Sequence, residues 1–178
     1  ENDKKITAYH EAGHALVSLR VLPQDKVSKI TIIPSTKGSG GYTLSIPEDR
    51  LYQNKDYLTK RVMVLLGGRA AEEIIFGKEN ITTGAYADIK QCTSIVANMV
   101  TQYGMGETLG LLNLQELLNL NCTNPENVVK ECKEVVDNLY EDVKNLLSAD
   151  KDLLEKLTAE LIEKETLFDS DIELLMKN

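Results

Sequence analysis

The chain of 178 residues holds two histidines, His10 and His14, four positions apart, with Glu11 directly after the first. His10-Glu11-Ala12-Gly13-His14 is an H-E-x-x-H sequence. On an α-helix four residues turn through about 400°, so both imidazoles share one face, one turn apart. That spacing lets them hold a single Zn²⁺. Glu11 is rotated by about 100° from His10 and leans over the metal's open side instead of ligating. The chemistry this predicts is metal-assisted hydrolysis, in which the metal acidifies a water and polarises a carbonyl. Satisfied core or surface histidines are the bland alternative. It leaves unexplained why both histidines of the chain fall on one helical stripe.

Two imidazoles do not complete a catalytic zinc site, which takes three protein ligands and a water. With no third histidine, the last ligand is a carboxylate or, failing that, a cysteine. Glu72 and Glu73 on one helix, Asp88 near the start of the next, and Asp25, Glu48 and Asp49 around a hairpin are all candidates. Spacing alone does not choose among them.

Composition narrows the setting. Hydrophobic residues at 42% and charged residues at 27% fit one globular domain, and a formal net charge of -8 disfavours a nucleic-acid partner. Cys92, Cys122 and Cys132 lack C-x-x-C spacing, so neither a disulfide framework nor a thiolate metal site is expected. Trp is absent and Phe occurs twice, so the core must be aliphatic. No apolar run is long enough to span a bilayer, and no G-x-x-x-x-G-K-[ST] phosphate loop occurs in the chain. The first residue is Glu1, not Met, and a helical pattern starts almost at once, which reads as a domain excised from a longer protein.

The elements that must position the histidines follow from periodicity and punctuation. A helix is predicted over residues 3–20 with Asp3 as cap, then a strand over Lys26–Pro34, a turn over Ser35–Gly41 and a return strand over Tyr42–Ile46. Gly38-Ser39-Gly40-Gly41 reads as a turn, not a phosphate loop, because no helix follows it. Helices are predicted over Tyr57–Phe76, Ala85–Tyr103, Pro125 to about Leu147, Asp150–Lys164 and Asp169–Lys177, with an Asn-rich break over Asn119–Pro125. Gly13, Gly67 and Gly68 cost helix propensity, a cost offset if backbones approach closely there. The expected fold is mainly α with a small β-hairpin or sheet. It forms one domain over 1–178, in which residues 1–115 carry the zinc site and hairpin and residues 116–178 supply C-terminal helices. The hairpin either braces the zinc helix or offers an edge to an extended polypeptide.

Beyond these local signals the chain resembles the peptidase domain of FtsH-type ATP-dependent zinc metalloproteases. The resemblance rests on Thr7–Ala15 (TAYHEAGHA), Lys29–Pro34 (KITIIP), Leu66–Gly77 (LGGRAAEEIIFG), Thr82–Asp88 (TTGAYAD), Gln102–Gly110 (QYGMGETLG) and Leu161–Leu167 (LIEKETL), in that order. It implies a zincin-like helix in a helical bundle. It implies His10, His14 and Asp88 as metal ligands, Glu11 as general base, and one Zn²⁺ per chain. Glu72 and Glu73 then become structural or orient an imidazole N–H. Many relatives carry Ser-Asn where Tyr86-Ala87 stands, a departure that touches substrate shape and not metal binding. The resemblance also implies an ATPase module outside this chain as the user of ATP, a homo- or hetero-hexameric ring, and unfolded or damaged polypeptides as substrates. It places the parent in a mitochondrial or plastid membrane, or alternatively the bacterial plasma membrane, with no membrane contact from this segment. The rival reading is a non-catalytic helical assembly domain with a structural or vestigial metal site.

Overall fold

A computed structural model describes residues 2–35, 40–121 and 125–177. Helix α1 (Asn2–Val21) is wrapped on nearly all sides, and every residue from Ala8 to Ser18 is buried. The sequence permits this because Ala8, Ala12, Gly13 and Ala15 are small, so neighbours on several faces approach its backbone closely. The main neighbour is α2 (Lys55–Phe76), capped by the Asn54 side chain, which accepts from the Tyr57 amide at 2.8 Å. A Cβ added to Gly67 would stand 2.7 Å from the Gly13 carbonyl oxygen, so only glycine fits where the two helices cross. The propensity lost at these glycines is returned as contact between backbones.

Strands β1 (Lys26–Thr31) and β2 (Tyr42–Ile46) pair antiparallel, with Ile30 opposite Thr43. After two one-turn 3₁₀ segments, Lys78–Asn80 and Thr83–Ala85, come α3 (Tyr86–Thr101), a short α4 (Leu114–Asn119), α5 (Glu126–Ala149) and α6 (Lys151–Lys164). β3 (Thr166–Phe168) and α7 (Asp169–Lys177) complete the chain. The sheet order is β2-β1-β3, all antiparallel. The aliphatic core has Leu147, Leu154, Leu157 and Leu161 fully buried beside Val62 and Val96.

The mainly helical fold with a small sheet matches the expectation, with local differences. The hairpin gains β3 as a third strand. Glu165 adopts a left-handed conformation (φ 64°) that ends α6, and its carbonyl accepts from the Ile32 amide at 3.0 Å, which docks the segment beside β1. The first strand stops at Thr31, three residues before Pro34. α1 begins at Asn2, so Asp3 lies inside the first turn, where its carbonyl accepts from the Thr7 hydroxyl. α4 has no counterpart in the expected elements; Asn113 caps it by accepting from the Glu116 amide. Residues 36–39 of the predicted turn, with half of the glycine-serine run, lie outside the described residues, as do 122–124 of the Asn-rich break, Cys122 included.

Candidate metal centre

Helix α1 presents His10 and His14 on one face, as their spacing requires, and both rings are buried. The His10 and His14 Nε2 atoms lie 3.1 Å apart. Asp88 Oδ2, from the first turn of α3, lies 3.0 Å from the one and 3.1 Å from the other. The opposite ring nitrogens are already committed. His14 Nδ1 donates to the Val64 carbonyl at 2.7 Å, and His10 Nδ1 donates to Glu72 Oε2 at 2.6 Å. In neutral imidazoles both Nε2 lone pairs therefore point at each other and at a carboxylate oxygen. Such a convergence is unfavourable unless positive charge sits at its centre. A tetrahedral ion with bonds of 2.0–2.1 Å has ligand atoms about 3.3 Å apart, close to the separations found. Among the described residues these three side chains form a group able to hold one metal ion.

The electrostatics point the same way. Burial acts to lower the His10 pKa, but hydrogen bonds with Asp88 and Glu72 and the charges of Glu11 and Asp88 outweigh it and raise it to about 9. His14 is also raised: burial opposes the shift, and the Asp88 hydrogen bond overcomes it. Burial acts to raise Asp88, yet its hydrogen bonds with the two imidazoles hold it well below the usual carboxylate range. Without a metal, protons supply the positive charge that the pocket demands.

Glu72 does not join the three converging atoms. It lies fully buried on α2, with one oxygen on His10 and the other accepting from the Thr82 amide at 2.9 Å and the Thr82 hydroxyl at 2.7 Å. One carboxylate thus orients an imidazole and pins the loop that leads into α3 and Asp88. Arg69 holds the same loop by donating to the Thr82 carbonyl at 2.9 Å. A Cβ at Gly68 would run into the His10 ring, so glycine there makes room for the imidazole.

The other candidates lie elsewhere. Glu73 accepts from Tyr140 and Lys144, both at 3.0 Å. Asp25 accepts from the Tyr57 hydroxyl at 2.7 Å and the Glu48 amide at 3.1 Å, bracing the approach to α2. Glu48 pairs with Arg50. Cys92 is buried, and burial pushes its thiol up to about 12.

Glu11 is buried beside His10, and its carboxylate accepts from the Thr43 hydroxyl at 3.1 Å. Both acids, Glu11 and Glu72, line a cleft of about 580 Å³ with His10, Thr82, Gly84 and Tyr86. Tyr86 is an exposed ring on the cleft wall. Asp88 faces a second cavity of about 270 Å³ whose walls include Leu65, Ile81 and Ile89. The sequence carried no sign of the contributions of Thr43, Arg69 and the Val64 carbonyl, because each depends on where a distant segment lands.

Comparison with known proteins agrees with this architecture. The chain is 44% identical over 173 residues to the ATP-dependent zinc metalloprotease FtsH of Lachnoclostridium phytofermentans, covering 97% of this chain and 30% of that protein. It is 41% identical to FtsH 1 of Alkaliphilus metalliredigens, covering 96% and 29%. It is 36% identical to FtsH 2 of Phytoplasma mali, covering 97% and 25%. The chain thus spans less than a third of the length of each of these relatives. All three relatives are bacterial, so they lend no support to the expected organellar membrane. Residues 1–175 match the sequence profile of Peptidase family M41, and the chain belongs to that family.

Proposed function

We propose that the chain is a zinc-dependent endopeptidase domain in which His10, His14 and Asp88 hold the metal and Glu11 is the general base. The observation that carries this reading is the meeting of His10 Nε2, His14 Nε2 and Asp88 Oδ2 within 3.0–3.1 Å of one another, with the Glu11 carboxylate on the adjoining cleft wall. When bound, zinc supplies Lewis-acid chemistry, acidifying a water and polarising the scissile carbonyl. Glu11 takes the proton from that water and delivers it to the leaving amine. Glu72 fixes the tautomer and orientation of His10, and Val64 does the same for His14. Strand β2 lies at the sheet edge, where an extended polypeptide can add as a further strand through main-chain hydrogen bonds. That mode reads few side chains and suits unfolded substrates.

The whole chain acts as one unit in this reading, with the helices beyond residue 116 bracing the zinc helix from behind. The relatives are named as ATP-dependent proteases and are more than three times longer. In this reading the parent is a homo- or hetero-hexameric protease whose separate ATPase module feeds unfolded or damaged proteins to this domain. On the same reading the parent is anchored in the bacterial plasma membrane by other segments; no helix of the described residues is long and apolar enough to cross a membrane.

The test is Glu11→Gln in the full-length protein. Zinc content should match the parent, and casein cleavage should fall by on the order of 10²–10⁴. Parent-like cleavage by that variant would remove Glu11 from its role. A zinc-free parent would favour the assembly-domain reading.

A further inference from the structure

The Glu11 carboxylate extends from a helix on which Ala8, Ala12 and Ala15 are among its neighbours, beside the rings of His10 and His14. A glutamate so placed has three side-chain torsions to fix, and a base works only when its oxygen is held where the proton will be. Among the described residues, the hydrogen bond made to this carboxylate comes from Thr43, at 3.1 Å from Oε1. The same hydroxyl lies 3.1 Å from the Glu11 main-chain carbonyl. One hydroxyl proton is thus shared between the side chain and the backbone of a single residue, tying the carboxylate down against its own helix.

Thr43 belongs to β2, which pairs with β1 on one side and has no strand on the other among the described residues. Along β2, Tyr42, Leu44 and Ile46 are exposed, while Thr43 and Ser45 alternate with them on the half-buried face. The pleat therefore sends the Thr43 side chain toward α1 while its backbone runs along the free edge.

We propose that Thr43 is a positioning residue for the general base, through which the edge strand that would receive a polypeptide also holds the Glu11 carboxylate in place. A substrate laid along that edge then meets an oriented base without further rearrangement. The inference rests on the reading of Glu11 given above.

The experiment compares Thr43→Val, Thr43→Ser and Glu11→Gln in the full-length zinc-loaded protease with a short quenched-fluorescent peptide. Valine keeps the β-branch and shape that a strand favours and replaces the hydroxyl with a methyl group. Thr43→Val should lower kcat about tenfold, the scale of losing one hydrogen bond to a charged group, with KM within about twofold of the parent. Zinc content should stay unchanged, and Thr43→Ser should recover most of the rate. A kcat for Thr43→Val within about twofold of the parent overturns the proposal, as does a loss confined to KM. Loss of zinc from Thr43→Val also overturns it, because the hydroxyl would then serve the metal centre and not the base. Should Thr43→Val fail to fold, Thr43→Ala, which also lacks the hydroxyl, decides: a tenfold loss of kcat that Thr43→Ser does not share supports the hydroxyl's role, and a parent-like kcat refutes it. If Glu11→Gln keeps its turnover, the reading of Glu11 fails. If Glu11→Gln is inactive while Thr43→Val is parent-like, only the role of Thr43 fails.

Discussion

Each imidazole at the centre has one nitrogen tied to protein and one turned inward, so the proposed metal site depends on residues that would not touch the ion. Glu72 is the test at the scale of single residues. Glu72→Gln leaves an amide in place of the charge that accepts from His10 Nδ1, and it disturbs the Thr82 loop. Zinc affinity should fall on the order of 10–100-fold, as measured by competition with a chromogenic chelator. Asp88→Ala removes one of the three proposed donors, and the purified variant should hold well under one zinc per chain. Proton accounting gives a further check. With His10 raised to about 9, the metal-free pocket holds protons at pH 7 that zinc must displace. Calorimetric titration with zinc in buffers of different ionisation enthalpy should therefore show proton release at pH 7, and a proton count of zero would contradict the raised His10.

At the scale of elements, the crossing of α1 and α2 decides whether the two histidines meet their partners. Gly67→Ala would gain about 1 kcal/mol of helix propensity. Against that, the new Cβ would stand 2.7 Å from the Gly13 carbonyl oxygen and 3.1 Å from the His14 amide, both backbone atoms with little freedom to retreat. Overpacking of that kind costs about 1–3 kcal/mol, so the clash should prevail. Urea unfolding of chelator-treated protein should show net destabilisation by about 1 kcal/mol, with weaker zinc retention as the helices separate. The sheet is only partly legible. β1 and β2 announce themselves by β-branched residues and the turn between them. The three-residue β3 carries no periodic signal and forms because Glu165 ends α6 where β1 has a free side.

The molecule as a whole supports the zinc helix from the far end of the chain. Tyr9, next to His10, donates to Glu155 of α6 at 2.6 Å, and Arg20 pairs with Asp150 at 2.6 Å. Leu157, fully buried on α6, belongs to the same core as Leu16 and Val17 of α1. Leu157→Ala should cost about 2–5 kcal/mol, read by denaturant unfolding. Zinc should cancel the pH dependence of stability that His10 gives the metal-free protein. In chelator-treated protein His10 has a raised folded-state pKa. Its contribution is fully present below its ordinary value of 6.5 and is lost as pH rises through about 9. Zinc competes with those same protons, so the stabilisation it confers should grow over that interval. Differential scanning calorimetry with and without zinc at pH 6, 7.5 and 9 measures both trends, and a zinc-induced gain in Tm that shrinks toward pH 9 would contradict them.

The pairing of His10 with His14 was legible in the sequence because four residues of helix is a local distance that backbone geometry enforces wherever the helix lies. The aliphatic core and most helices were legible for the same reason, since periodicity and caps act over a few residues. Asp88 stands 74 residues from His14, and spacing could not choose it over Glu72, Glu73, Asp25, Glu48 or Asp49. Resemblance to a family singled it out, and packing of α1, α2 and α3 brings its oxygen to the imidazoles. The resemblance left Glu72 and Glu73 as structural or imidazole-orienting; tertiary structure decided that Glu72 turns to the outer nitrogen of His10, that Glu73 goes to Lys144 and that Thr43 lies against Glu11. Those outcomes depend on which backbone segments approach closely, and close approach is decided by the sum of contacts over the whole fold.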